Sequence, residues 1–65
     1  MADRVFETVF ADSTLAAAID LDKVSMAIPD TNGKAVLSLN GISNISVEAT
    51  YADFLVAWKA FANTP

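Results

Sequence analysis

Ile45-Ser46-Val47-Glu48-Ala49-Thr50-Tyr51-Ala52-Asp53-Phe54-Leu55-Val56-Ala57-Trp58-Lys59-Ala60-Phe61-Ala62 changes its apolar period partway along. Ile45 and Val47 alternate with Ser46 and Glu48, the period of two that a half-buried strand shows. From Tyr51 the large apolar residues instead follow i, i+3, i+4, i+7 spacing, and Tyr51, Phe54, Leu55, Trp58, Phe61 and Ala62 make one aromatic stripe. Thr50 with Asp53 three residues later reads as a capping box with Asp in place of Glu, and the carboxylate suits the positive end of a helix dipole. The run therefore predicts a strand over about 44–48 and an amphipathic helix over about 51–62 that lays its stripe on a sheet. Phe54, Leu55, Trp58 and Phe61 are expected in the core. The far side would carry Ala52, Val56, Lys59 and Asn63, with Asp53, Ala57 and Ala60 on the flank, and these small residues would let another backbone approach closely.

Upstream the period is two. Residues 4–10 and 14–21 alternate on either side of Asp12-Ser13, a pair with turn character. With that pair as the loop, Phe10 faces Leu15 and Phe6 faces Ile19, so all four belong to one apolar side. The other side holds Val5, Glu7, Val9, Ala16, Ala18 and Asp20, neither fully polar nor fully apolar. A competing reading makes Ser13 the N-cap of a helix through Ala16-Ala17-Ala18. After a bend at Asp22-Lys23, residues 24–28 read as a strand in which Val24, Met26 and Ile28 alternate inward with Ser25 and Ala27. Pro29-Asp30-Thr31-Asn32-Gly33 is the clearest loop. Residues 34–39 follow, with Ala35, Leu37 and Leu39 as the next inward row. At Asn40-Gly41 a two-residue hairpin is the usual reading, but it sets Leu37 against Asn44. A loop of three or five residues pairs Leu37 with Ile45 or Val47 and keeps the apolar face whole, so the longer loop is expected. The resulting fold class is α+β, one domain over residues 1–65, with a small antiparallel sheet of four to five strands in two hairpins covered by a C-terminal helix. Its core is expected to be Phe6, Phe10, Leu15, Ile19, Leu37, Ile45, Val47, Phe54, Leu55, Trp58 and Phe61.

A chain of 65 residues buries only about 60% of the surface that its unfolded form exposes, so stability is marginal. Small domains respond with disulfides, metals or association. Cys and His are both absent, which excludes disulfides, thiolate chemistry and ordinary zinc sites. Association remains, and 54% hydrophobic residues leave apolar surface for it, although many are Ala. The net charge is −4, and Arg4, Lys23, Lys34 and Lys59 are scattered along the chain. Phosphate-driven nucleic-acid binding needs clustered cations, so no nucleic-acid partner is expected. No apolar run approaches the roughly 18–20 residues of a membrane span, and no signal peptide is recognised. The expected location is the virion if the protein belongs to a phage, and otherwise the cytoplasm.

Carboxylates can serve as general acid and base or hold a hard cation. Asp20 with Asp22 is the tightest pair, followed by Asp30, but no third acid, Gly-spaced loop or nearby base completes a site. Ser and Thr nucleophiles lack His, and Gly33 and Gly41 cannot form a phosphate-cradling loop. The expectation is a protein that is not an enzyme, with no catalytic, metal or cofactor residues.

The order of a leading hairpin, Ile19-Asp20-Leu21-Asp22-Lys23-Val24, a strand, Asn40-Gly41, and Ile45-Ser46-Val47-Glu48-Ala49-Thr50 entering a helix resembles the small flagellar FlbD-like proteins and similar short bacteriophage proteins. That resemblance implies a compact β-rich domain with a closing helix and no active site. Together these readings point to a structural accessory protein of a large assembly, such as a capsid-decorating or cementing protein of a phage. Its partners would be further copies of itself or a major assembly protein such as a capsid protein, met through Val5 and Val9 of the first hairpin and Val56 and Ala60 of the helix. A small acidic phage or bacterial regulator that binds a host protein is the alternative.

Overall fold

The computed structural model describes residues 3–63. The chain runs through β1 (Val5–Val9), β2 (Ala16–Asp20), a 3-10 turn (Leu21–Lys23), β3 (Val24–Pro29), β4 (Lys34–Leu39), β5 (Ile42–Thr50) and α1 (Tyr51–Ala62). The fold class is α+β, as the patterns require. The five strands are divided between a two-stranded sheet, β1-β2, and a three-stranded sheet in the order β3-β4-β5. Phe10, just past β1, bridges to Val47 of β5, and the Ala11 N–H donates to the Ser46 carbonyl at 3.0 Å, which stitches the two sheets together.

The first hairpin keeps one register throughout, with Phe6 opposite Ile19 and Val9 opposite Ala16, and the Phe10 N–H donating to the Leu15 carbonyl at 3.1 Å. The Ala-rich segment is thus strand, and no helix starts at Ser13, whose hydroxyl accepts the Leu15 N–H inside the connection. Ile19 and Ala17 are buried on the inner side, and Phe6 and Phe10 pack half-buried against the same cluster. Leu15 departs from expectation. It shares that side but is 68% exposed, because the Phe10–Leu15 pair sits at the hairpin tip, just before β2, which among the described residues pairs with β1 alone.

The second sheet contains three irregularities. Between Val24 and Met26 the pairing with β4 shifts by one residue. Such a bulge reverses the parity of everything after it. Val24 is buried opposite Leu39, but thereafter Ala27 faces inward opposite Leu37, and Met26 and Ile28, expected inward, are 52% and 46% exposed. At the other hairpin the loop is the short one, against expectation: Leu39 pairs with Ile42 around Asn40-Gly41. Both loop residues have positive φ, 46° and 85°, as a type I′ turn demands, and Gly41 meets that demand without strain. Leu37 nevertheless faces Ile45, because the register shifts between Leu37 and Leu39, where Asn44 at φ 63° takes up the extra residue. A third shift lies between Lys34 and Val36, and there the Lys34 ammonium donates to Glu48 Oε2 at 2.6 Å across the widened pair.

The helix begins as its sequence dictates. Thr50 Oγ1 accepts the Asp53 N–H at 3.1 Å, and Asp53 lies in the positive first turn. Its entry is also tied to the β3–β4 turn, since the Tyr51 N–H donates to the Gly33 carbonyl at 2.8 Å. In that turn Asp30 Oδ1 accepts the N–H groups of Asn32 and Lys34 at 2.8 and 2.9 Å, and Gly33 adopts φ 81°. The helix lies against β3, β4 and β5. Phe54 is wholly buried, with its ring edge-on to Phe6 at 5.2 Å and tilted against Trp58 at 5.7 Å. Leu37, Val47 and Ala35 close the core around it, with Ile45, Trp58 and Phe61 half-buried at its margin. Leu55 and Tyr51 are half-buried, and Ala62 is exposed, so the stripe ends at Phe61. Leu21 of the 3-10 turn and Val24 also belong to the buried cluster.

Candidate interaction surface

The acids that could have formed a chemical site are occupied by the backbone and by one arginine. Asp20 Oδ1 and Oδ2 accept from Arg4 Nε and Nη2, each at 2.9 Å, a two-pronged pair across the β1–β2 hairpin. Asp20 Oδ1 also accepts the Asp22 N–H at 3.0 Å and so caps the 3-10 turn. The hydrogen-bonded guanidinium holds the Asp20 carboxyl below the usual carboxylate range against the opposing effect of partial desolvation, and the same bond raises Arg4. Asp22 lies 3.9 Å from the same guanidinium. These side chains are well exposed, so the pair fixes geometry more than it adds stability. Asp30 is consumed by its own turn. Among the described residues, no group of three or more acids could hold a metal ion, and none of their helices is long and apolar enough to cross a membrane.

Two of the four bases face acids: Arg4 lies against Asp20 and Asp22, and Lys34 against Glu48. The apolar side chains are less well placed. Among the described residues, Val5, Leu15, Met26, Ile28, Ile42 and Val56 are large, hydrophobic and 46–70% exposed, whereas no polar side chain is buried.

Two of the interface residues expected from sequence meet in space. Val5 of β1 and Ala60 of α1 line one open cleft of about 390 Å³ between the hairpin and the helix. Phe6, Leu21 and Ala57 give that cleft apolar walls, and Asp3 and Glu7 add exposed acids. Val9 and Val56 do not line it: Val9 is half-buried on β1, and Val56, at 70% exposed, stands on the outer face of the helix. Sequence reasoning missed Met26, Ile28 and Ile42 as surface residues. The signal that could have found them is charge, since residues 24–29 and 35–47 contain no ionisable side chain.

Comparison with protein-family models, with curated proteins and with solved structures gave no match.

Proposed function

We propose that this chain is a non-enzymatic structural protein of a larger assembly, of the kind that decorates or cements a bacteriophage capsid. The observation that carries the reading is the imbalance between a small, wholly apolar core and six large apolar side chains left exposed on several faces. A monomer this small gains little from such a surface, whereas a particle that repeats one subunit by symmetry turns modest patches into many contacts. The cleft containing Val5 and Ala60 offers a concave apolar seat bordered by Asp3 and Glu7, suited to a partner segment that combines an apolar side chain with a basic one. The virion is proposed as the setting on the resemblance of the element order to that of short phage proteins. Quantitative mass spectrometry of purified native particles tests the reading. A fixed copy number per particle is the expected result, with Val5→Glu lowering occupancy; absence of the chain from particles overturns it.

The acids of the same cleft favour one alternative, a small acidic regulator that seats a basic segment of a host protein. Recovery of a single stoichiometric host protein by the wild-type chain, lost on Glu7→Lys, together with absence from particles, would select that reading.

A further inference from the structure

Asn is followed by Gly twice, at Asn32-Gly33 and Asn40-Gly41. Gly has no side chain to shield its amide nitrogen or to restrict the backbone around it, so that nitrogen can reach the side-chain amide carbon of the preceding Asn. Asn44 and Asn63 instead precede Ile45 and Thr64, and β-branched residues crowd that approach. Both Asn-Gly pairs lie exposed in turns, both glycines have positive φ, and neither has a heavy atom within 4 Å of the place a Cβ would take. Composition and access alone would make the two pairs equally reactive.

Hydrogen bonding separates them. In the β3–β4 turn the Gly33 N–H donates to the Asp30 carbonyl at 3.1 Å, and the Gly33 carbonyl accepts the Tyr51 N–H at 2.8 Å. Asp30 Oδ1 takes the N–H groups of Asn32 and Lys34 at 2.8 and 2.9 Å. The nitrogen that would attack is therefore engaged, and its neighbours on both sides are held. The Asp30 carboxylate also opposes the negative charge that builds on the Asn32 side chain during attack. The β4–β5 turn has none of these restraints. Among the described residues no hydrogen bond holds the Gly41 N–H, and residues 35–47 carry no ionisable side chain.

We propose that Asn40 is a site of self-modification, deamidating through a cyclic imide in the folded protein, and that the Asp30 turn protects Asn32 from the same reaction. The Gly41 N–H gives its proton to a solvent base, its nitrogen bonds to Asn40 Cγ, and the side-chain nitrogen leaves as ammonia. Water then opens the ring. Cleavage of the bond from nitrogen to Cγ leaves aspartate in an unaltered main chain. Cleavage of the bond from nitrogen to the main-chain carbonyl carbon leaves isoaspartate, in which the chain runs through Cγ. One water is consumed and one ammonia released, with no change of oxidation state. Either product adds a negative charge to the net −4, the first on the stretch from Ala35 to Val47, close to Ile42, which is 64% exposed. Isoaspartate also lengthens the main chain inside the two-residue turn that the Leu39–Ile42 pair closes, so it disturbs the β4–β5 register. The inference goes beyond the assembly reading and does not depend on it, because it concerns the isolated chain.

The test is to incubate the full chain in mildly alkaline buffer, folded and in concentrated urea, and to follow each Asn by peptide mapping and mass spectrometry, with isoaspartyl methyltransferase labelling to identify the isoaspartate product. In the folded chain Asn40 is expected to react at least about tenfold faster than Asn32, since each hydrogen bond that must open slows the reaction by up to about tenfold. In urea the two rates should converge. Asp30→Ala, which removes Oδ1 from the Asn32 and Lys34 N–H groups, should raise the Asn32 rate several-fold and leave that of Asn40 unchanged, with circular dichroism checking that the variant folds. The comparison of folded with denatured wild type carries the test without that variant. Equal rates in the folded chain, a faster Asn32, or an Asn40 that reacts only in urea overturns the inference, and a folded Asp30→Ala with an unchanged Asn32 rate overturns the protective role of the turn.

Discussion

The β1–β2 hairpin and the β3-β4-β5 sheet are built from the same alternating grammar, yet only the first can be read straight through. In the hairpin one register holds from Val5–Asp20 to Val9–Ala16, so a single correct pairing places every side chain. In the sheet three shifts intervene, and each reverses or displaces the facing pattern downstream. The charges are divided in the same way. The hairpin carries a two-pronged ion pair across its strands, whereas the sheet is uncharged over most of β3, β4 and the first part of β5. The sheet has an ion pair of its own, Lys34–Glu48, only at the end where its third shift lies, and the rest of it is held by what packs beneath it.

What packs beneath both is Phe54, and removing it is the severest way to break the comparison. Its ring meets Phe6 of the hairpin and belongs to the same buried cluster as Leu37 of the sheet. Phe54→Ala is expected to cost about 3–5 kcal/mol, enough to unfold much of a chain this small, as read by urea denaturation. Next in size is the bulge at Asn44. With φ at 63°, Asn44→Val forces a β-branched residue into the left-handed region and should cost about 1–3 kcal/mol. Asn44→Gly should keep the fold at near wild-type stability, which separates backbone conformation from side-chain loss. If Asn44→Val proves harmless, the register of the sheet does not depend on this bulge.

Acid is the probe of the hairpin. Because Arg4 lowers the pKa of Asp20 in the folded state, the contribution of the pair is full above the unfolded carboxylate value of about 3.9. It is lost as pH falls through the lower folded value. Asp20→Asn should therefore lower the melting temperature slightly at pH 7 and narrow its difference from the wild type toward pH 2. A difference that widens in acid would contradict the pairing. The smallest effect is expected at Leu15, where exposure implies that Leu15→Ser changes stability by less than about 0.5 kcal/mol. A loss of several kcal/mol would return Leu15 to the core that its alternation suggests.

The helix was legible because its stripe, its Thr50 cap and its acidic first turn all agree, and local agreement of that kind survives tertiary packing. The register of the first hairpin was legible for the same reason: Phe6, Ile19 and Phe10 had one pairing that kept them together. The parity of β3 was not, since nothing in Val24-Ser25-Met26 marks a bulge, and apolar residues occupy both inward and outward positions. At Asn40-Gly41 the usual turn and the need to pair Leu37 with Ile45 looked incompatible. Asn44 reconciles them, and an Asn three residues after the turn Gly is a weak cue for a left-handed residue. Of the interaction surface, Val5 and Ala60 were anticipated from their faces, but the cleft that unites them depends on how the helix crosses the hairpin, which no local pattern encodes.

The bond from the Tyr51 N–H to the Gly33 carbonyl bears on the order in which the chain folds. At twelve residues, α1 lies at the lower limit of what holds together as an isolated helix in water, and one of its initial amide groups is satisfied by a turn laid down much earlier in the chain. The expected order is therefore a helix that completes its first turn after the β3–β4 hairpin has closed. A peptide spanning residues 50–63 should be a random coil by circular dichroism, and substitutions on the exposed helix surface should alter the unfolding rate far more than the folding rate.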